Sequence, residues 1–245
     1  MISNNGSVSN YFATMKRHPV WNDIHDAAKN GSVEGVSFYI AQGVNVNQKK
    51  CDSCLIPLHL AVGKNANIET LEYLLKTGAN VNAKNGEGWT SLHKAILGNA
   101  GIEVLKRLID HGADIDAKND DGWTPLHCAA AKEADTTVLE HLLAHRADVN
   151  ATDNEGWTPL HFAAFDNINV NVLKHLVAHG ANVNALDDAE QTPLHFAAAR
   201  NPGIDVLEYL IENGADVMAM DAMGLTPFDI ADCEKKKATL RAAGG

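Results

Sequence analysis

Histidine side chains can bind a metal ion or transfer protons in catalysis, and they recur along this chain. There are 12 among 245 residues, and most recur at fixed intervals. Metal ligands must lie about 2 Å from one shared ion, whereas residues one repeated unit apart are separated by about 10 Å, the distance between packed helices. We therefore interpret the repeated histidines as structural and predict no metal site among them. The recurring positions hold His25, His59, His93, His127, His161 and His195; then His111, His145 and His179; then His141 and His175.

Cys51 and Cys54 form the single Cys-x-x-Cys motif of the sequence. A zinc site of this type normally adds a second pair of ligands at a fixed spacing, and none follows here; His18 and His59 are the remaining candidate ligands. A redox motif would require a thioredoxin-like βαβ context, which is absent. We favour an irregular loop and keep a metal-dependent enzyme as the alternative. Two further cysteines are expected to be small core residues: Cys128 and Cys233.

Motifs for other chemistries are missing from the sequence. The only Gly-x-Gly, Gly86-Glu-Gly88, does not continue into a phosphate-binding loop. No Gly-x-Ser-x-Gly occurs, and no pair of carboxylates stands apart from the acidic residues of predicted turns. We therefore predict that the protein is not an enzyme and needs no cofactor.

The charge balance argues against several classes of partner. Twenty Lys and Arg against 31 Asp and Glu give a formal net charge of −11, which disfavours nucleic acid or an anionic membrane because both require a basic surface. No run approaches the roughly 18 apolar residues of a membrane span. The polar start, Met1–Asn10, lacks the basic and apolar regions of a secretory signal. We expect a cytoplasmic protein with reduced thiols.

Two short motifs recur every 34 residues and organise the chain. The first is clearest as Thr124-Pro-Leu-His127, and its other copies are Thr158-Pro-Leu-His161, Thr192-Pro-Leu-His195, Thr90-Ser-Leu-His93, Ile56-Pro-Leu-His59 and the weaker Thr226-Pro-Phe-Asp229 and Asn22-Asp-Ile-His25. The second is clearest as Gly180-Ala-Asn-Val-Asn-Ala185 and shares the same period. Seven units therefore follow one another from Trp21 onwards.

One unit, Asp153 to Leu186, predicts two helices and a projecting turn. Thr158 is a suitable N-cap before a proline at the first helical position. Leu160 and the two alanines that follow share one helical face, and a second amphipathic helix contains Val172 to Val177. Gly180 then ends this second helix. Such a unit cannot bury its apolar faces alone, so neighbouring units must stack.

The two motifs, in register over almost the whole chain, resemble the ankyrin repeat. The resemblance implies an all-α ankyrin-repeat solenoid of helix-turn-helix pairs with projecting β-hairpin loops. We expect residues 1–19 to form a partly disordered tail and residues 20–245 the repeat domain, with its outer units acting as caps. The 34-residue length is similar to that of ankyrin proteins in intracellular bacteria, poxviruses and protists. An extra residue between the helices places asparagines in the turn: Asn65, Asn99, Asn167 and Asn201.

The resemblance also implies non-catalytic binding of another protein through the concave hairpin and helix surface. Trp89, Trp123 and Trp157 precede the capping threonine, where the family often contacts its partner, and tryptophan is frequent at binding hot spots. The indoles could instead only pack on the neighbouring hairpin, so both roles stay open. Positions matching family contacts are Trp89, Trp123, Trp157, Phe165, Glu87, Asp120, Asp121, Asn154, Glu155, Asp188, Glu190, Lys132, Asp166 and Arg200.

The acidic loop tips predict a partner protein with a basic or mixed basic and apolar patch. Two other roles remain open. The protein could be a secreted effector of an intracellular bacterium or virus that acts on a host protein, or an intracellular inhibitor or antitoxin that masks a basic enzyme face. We expect a monomer.

Overall fold

The computed structural model describes residues 21–50, 53–132, 136–166 and 168–244. In these ranges the chain forms fourteen α-helices of four to nine residues. They are α1 Ile24–Lys29, α2 Val33–Ala41, α3 Pro57–Ala61, α4 Ile68–Lys76, α5 Ser91–Leu97, α6 Ile102–Asp110, α7 Pro125–Ala130, α8 Thr136–Ala144, α9 Pro159–Asp166, α10 Val170–Ala178, α11 Pro193–Ala199, α12 Ile204–Glu212, α13 Pro227–Ile230 and α14 Glu234–Ala242.

The helices form seven pairs that stack in chain order. Each odd-numbered helix packs against the even-numbered helix that follows it and against the odd-numbered helix of the next unit. The even-numbered helices contact one another in the same sequence, so each unit touches chiefly its neighbours. This is the all-α solenoid that the repeats predicted.

The threonine motif starts the first helix of a unit through reciprocal hydrogen bonds. At α7, Thr124 is the N-cap with extended backbone, Pro125 is the first helical residue, and the Thr124 hydroxyl accepts a bond from the His127 amide. The His127 Nδ1 accepts a bond from the Thr124 amide at 3.1 Å. Two amides that a helix start would leave without partners are therefore bonded within four residues.

Leucines fill the space between the two layers of helices. Fully burying one leucine contributes roughly 1.5–3 kcal/mol, so the repeated core supplies most of the stability that a short helix lacks alone. The completely buried leucines of the odd-numbered helices are Leu58, Leu92, Leu126, Leu160 and Leu194. Those of the even-numbered helices are Leu71, Leu74, Leu105, Leu108, Leu142, Leu173, Leu176, Leu207, Leu210 and Leu240.

Asparagines link the ends of four second helices, α4, α6, α10 and α12, to the preceding unit. Gly180 follows α10 with φ +91°, as its predicted position at the helix end requires. The Asn150 side chain donates to the Gly180 carbonyl at 3.0 Å and accepts from the Asn182 amide at 2.8 Å. The same bonds recur at the equivalent residues Asn47, Asn82 and Asn184.

The projecting loops are tight turns with very little strand structure. Among the described residues one isolated antiparallel bridge joins Lys50 and Leu55. In the fifth unit, the Asp153 carboxylate accepts bonds from the amides of Glu155 and Trp157 at 2.9 and 2.8 Å. Side-chain bonds of this kind hold the turn, which we continue to call a hairpin, where a longer hairpin would use a strand ladder.

One sequence prediction about the cysteines is wrong, and some other predictions concern residues outside the described ranges. Cys233 was expected in the core but is exposed, because it is the N-cap of α14 and its side chain precedes the buried part of the helix. Cys128 is buried, as expected. The tail at 1–19, together with Cys51 and Asn167, lies outside the described residues.

The described residues contain neither a helix suited to crossing a membrane nor a cluster suited to holding a metal ion. None of the helices described above combines the length and apolar character that crossing a membrane demands. In the same part of the chain, no three His, Cys, Asp or Glu side chains come close enough to share a metal ion.

Candidate functional site

The backbones of Trp123 and Trp157 are held by side chains on both sides. The Trp157 amide donates to the Asp153 carboxylate at 2.8 Å, and its carbonyl accepts a bond from His127 Nε2 at 2.9 Å. Trp123 is held in the same way by Asn119 and His93. Because both partners belong to the rigid repeat, each indole leaves the backbone from a fixed point.

The tryptophans form a continuous row with three phenylalanines, which we call the aromatic row. Trp89 and Trp123 meet edge to face with ring centroids 6.1 Å apart. Phe162 bridges Trp123 and Trp157 at centroid distances of 4.5 and 5.1 Å. Trp157 continues the row to Phe196 at 4.4 Å and Phe165 at 5.6 Å. The indoles are half-buried, so they pack on one another and also present surface to solvent.

Two members of the aromatic row were missed by sequence reasoning. Phe162 and Phe196 each follow the histidine of a Thr-Pro-Leu-His motif, one repeat apart. That coincidence was the available signal, but the equivalent residues elsewhere include Lys94 and Cys128, so the position has no constant character. Phe165 was expected to be exposed; it is half-buried, because it lies against Trp157 and Phe196.

A central cavity of about 350 Å³ opens between the hairpins of the fourth and fifth units. Its aromatic walls are Trp123, Trp157 and Phe162. Its polar lining comprises Asp121, Asp153, Asn154 and Glu155. Five predicted site residues therefore meet at one place, and the structure adds Phe162 and Asp153. We call the side of the solenoid on which this cavity and the aromatic row open the hairpin face.

A second, N-terminal cavity of about 570 Å³ lies beside the first three units. The ends of α1, α3 and α5 form its floor, and Trp89 and Glu87 form the side nearest the centre. Three lysines line it: Lys29, Lys64 and Lys94. Sequence reasoning did not select these lysines, because they stand at different positions of their repeats and no motif marks them.

The remaining predicted site residues are spread around these cavities. Asp120, Asp166, Asp188, Glu190 and Arg200 are exposed, and none lines either cavity. Lys132 is not a free basic group, since its ammonium donates to the Leu97 carbonyl at 2.8 Å and to the Asn99 side chain. Partial burial lowers the pKa of Lys132. This lysine ties the end of α7 to the preceding unit.

The repeated histidines are engaged in structural hydrogen bonds. Burial lowers the pKa of His59 and of His93 to about 4, and it lowers the pKa of His127 and His161 as well. Their rings are therefore neutral near pH 7, with Nδ1 accepting from the helix start and Nε2 donating to the next unit. Burial raises the pKa of the Cys128 thiol to about 12, so this thiol is not a nucleophile.

Comparisons with known proteins agree with this architecture. A family model described as ankyrin repeats, in three copies, matches residues 24–119, 59–153, 99–187, 130–221 and 166–238. The crystal structure of the ankyrin repeat domain of Bcl-3, a unique member of the IkappaB protein family, is similar with a TM-score of 0.73 and 29% sequence identity. That similarity covers 89% of this chain and 97% of the other. No curated protein sequence matches the chain.

Proposed function

The chain belongs to the ankyrin repeat family, whose repeats serve as protein-interaction modules, and we propose that it binds a partner protein through the hairpin face. The observation that carries the proposal is the half-buried aromatic row beside a cavity lined with carboxylates. Tryptophan supplies a large rigid contact area at low entropic cost and is enriched at interface hot spots.

The charges of this face favour a partner that carries Lys or Arg. Asp121 and Glu155 are exposed at the mouth of the central cavity, and the whole chain has a formal net charge of −11. Complementary charges raise the association rate and make it fall as salt is added, because ions screen exposed charges beyond about 8–10 Å.

A pull-down at two salt concentrations tests the proposal. The bait chains are the wild type, Asp121→Asn with Glu155→Gln, and Glu208→Gln with Glu212→Gln. The last pair removes two exposed carboxylates from α12, away from the cavities. We expect the wild type and the α12 variant to retain the same protein and the cavity variant to lose most of it. Equal recovery by all three would contradict the proposed surface.

A triple replacement of Trp89, Trp123 and Trp157 by alanine separates binding from packing. These indoles contact one another and Phe162, so the variant must first be shown by circular dichroism to keep its helices. Loss of the partner with the helices intact supports a contact role. Unfolding of the variant supports packing alone, and the carboxylate variant then decides the location of the surface.

An inhibitor that masks the basic face of an enzyme is a second candidate function. The unpaired carboxylates beside the aromatic row favour it, since a basic active-site rim would complement them. Recovery of an enzyme whose activity falls on adding the wild-type chain, and does not fall with Asp121→Asn and Glu155→Gln, would support it. The effector role stays a prediction from the 34-residue repeat length.

A further inference from the structure

The two cavities of the hairpin face carry opposite charges and share a boundary. The N-terminal cavity is lined by Lys29, Lys64 and Lys94 and by a single carboxylate, Glu87. The central cavity is lined by three carboxylates and by no lysine or arginine. Those carboxylates belong to Asp121, Asp153 and Glu155.

A pair of tryptophans forms the boundary between them. Trp89 lines the N-terminal cavity and Trp123 lines the central one. Their rings pack edge to face with centroids 6.1 Å apart. A ligand that lies across this pair therefore meets lysines on one side and carboxylates on the other.

The charges in both cavities are left without ionic partners. Among the described residues, the ion pairs of Lys and Arg involve Lys50, Lys76, Arg107 and Lys236. None of these pairs includes a residue of either cavity. On the even-numbered helices, by contrast, Arg107 bonds Glu103 at 2.6 Å and lies 3.5 Å from Glu72. Separated, unpaired charges of opposite sign on one face are suited to a ligand with the complementary order.

We infer that the hairpin face binds an extended segment of the partner whose acidic and basic side chains are separated along its length. The inference rests on the proposed function and adds the order of charges. An Asp or Glu lies in the N-terminal cavity near Lys29 and Lys64. A Lys or Arg lies in the central cavity against Trp123 and Trp157, whose ring faces attract cations while the surrounding carboxylates pair with it.

The spacing of the two charges follows from the repeat. Lys29 and Lys64 belong to the first and second units, whereas the central cavity lies between the fourth and fifth. The two sites are therefore about two to three units apart, or roughly 20–30 Å at the spacing of packed helices. An extended chain rises about 3.3 Å per residue. The acidic and basic side chains of the segment are therefore about 6–9 residues apart, with apolar residues between them over Trp89 and Trp123.

Selection from a library of random 12-residue peptides tests this inference. Three double variants accompany the wild type: Lys29→Glu with Lys64→Glu, Asp121→Lys with Glu155→Lys, and Glu208→Lys with Glu212→Lys as the control on α12. All six side chains are exposed, so we expect each variant to fold, and circular dichroism and thermal melting establish that it does. The wild type and the control should both enrich peptides with acidic and basic residues about 6–9 positions apart.

The two cavity variants should change one charge each. The lysine variant should enrich peptides in which basic residues replace the acidic ones, and the carboxylate variant should enrich acidic peptides. A synthetic wild-type-selected peptide should bind each cavity variant about tenfold or more weakly, and the control equally well. A scrambled peptide of the same composition should bind all four chains poorly.

The outcomes separate this inference from the proposed function. Peptides that lack separated charges, or a control that changes selection as much as the cavity variants do, would overturn the inference. Absence of any enriched peptide would also overturn it, because it denies binding of a linear segment. In those cases the pull-down still decides whether the hairpin face binds a folded partner.

Discussion

At the residue scale, the histidine of each motif joins two units while it is neutral. His93 Nδ1 accepts from the Thr90 amide at 3.3 Å, and its Nε2 donates to the Trp123 carbonyl at 3.0 Å. Protonation would place a proton on Nδ1, which must accept a hydrogen bond, and would charge a buried ring. The fixed 34-residue spacing made this role predictable from the sequence. The spacing did not reveal Phe162, because that contact depends on the direction of side chains from different units.

The lowered pKa of these histidines predicts that stability falls in mild acid. The folded-state pKa of His93 is about 4 and its ordinary value is 6.5, so the unfolded chain binds the proton more tightly between these values. The contribution of His93 to the free energy of unfolding is therefore complete above pH 6.5 and is lost as the pH falls towards 4. One such histidine accounts for a loss of about 2 kcal/mol between pH 7.5 and 5.

Urea unfolding of the wild type and of His93→Asn at both pH values measures this loss. The variant is less stable at pH 7.5, because the Trp123 carbonyl loses its donor, but its fall in stability between the two pH values should be smaller by about 2 kcal/mol. His179→Asn is the control, since that ring is exposed at the end of α10. An identical fall in all three proteins would contradict the assignment.

At the element scale, the sequence predicted the ends of the helices better than the loop between the two helices of a unit. The helix starts at Thr124 and the helix end at Gly180 were predictable, because cap residues have local conformational requirements. The loop between the helices was less regular. Asn99 adopts a left-handed φ of +53°, whereas Asn201 is buried and donates to the Ala164 carbonyl. The same residue type at the same position therefore serves different contacts, which depend on the neighbouring unit.

Two glycines with nearly the same backbone conformation should differ in their tolerance of alanine. Gly122 has φ +85°, and a Cβ there would lie 2.7 Å from the Asn154 amide nitrogen in the next hairpin. Gly180 has φ +91° and nothing within 4 Å of that position. Both alanine variants incur the left-handed strain of about 1–2 kcal/mol, and Gly122→Ala should lose at least about 1 kcal/mol more because a backbone must move. Chemical denaturation of the two variants gives the difference, and equal losses would show that the hairpins yield freely.

At the scale of the whole molecule, stability is distributed along a line of units. Each helix pair contacts the pairs before and after it, so the free energy of unfolding is close to a sum of unit and interface contributions. The seven-unit solenoid was predictable from the period alone. The placement of opposite charges on the hairpin face was not, because it depends on which unrelated repeat positions open into one cavity.

This arrangement predicts that a core defect in the last unit stays local. Leu240 of α14 is completely buried, and α14 packs on α12 and α13. Leu240→Ala should remove about 2–4 kcal/mol of local stability, and hydrogen exchange should then speed up in α11 to α14 and remain unchanged in α3 to α6. Leu142→Ala, in the central α8, is the matched variant, because α8 has neighbouring units both before and after it in the solenoid. It should speed exchange in both directions along the chain. If Leu240→Ala instead raised exchange uniformly, the seven units would unfold as one cooperative body, and the sum of local contributions would be the wrong description.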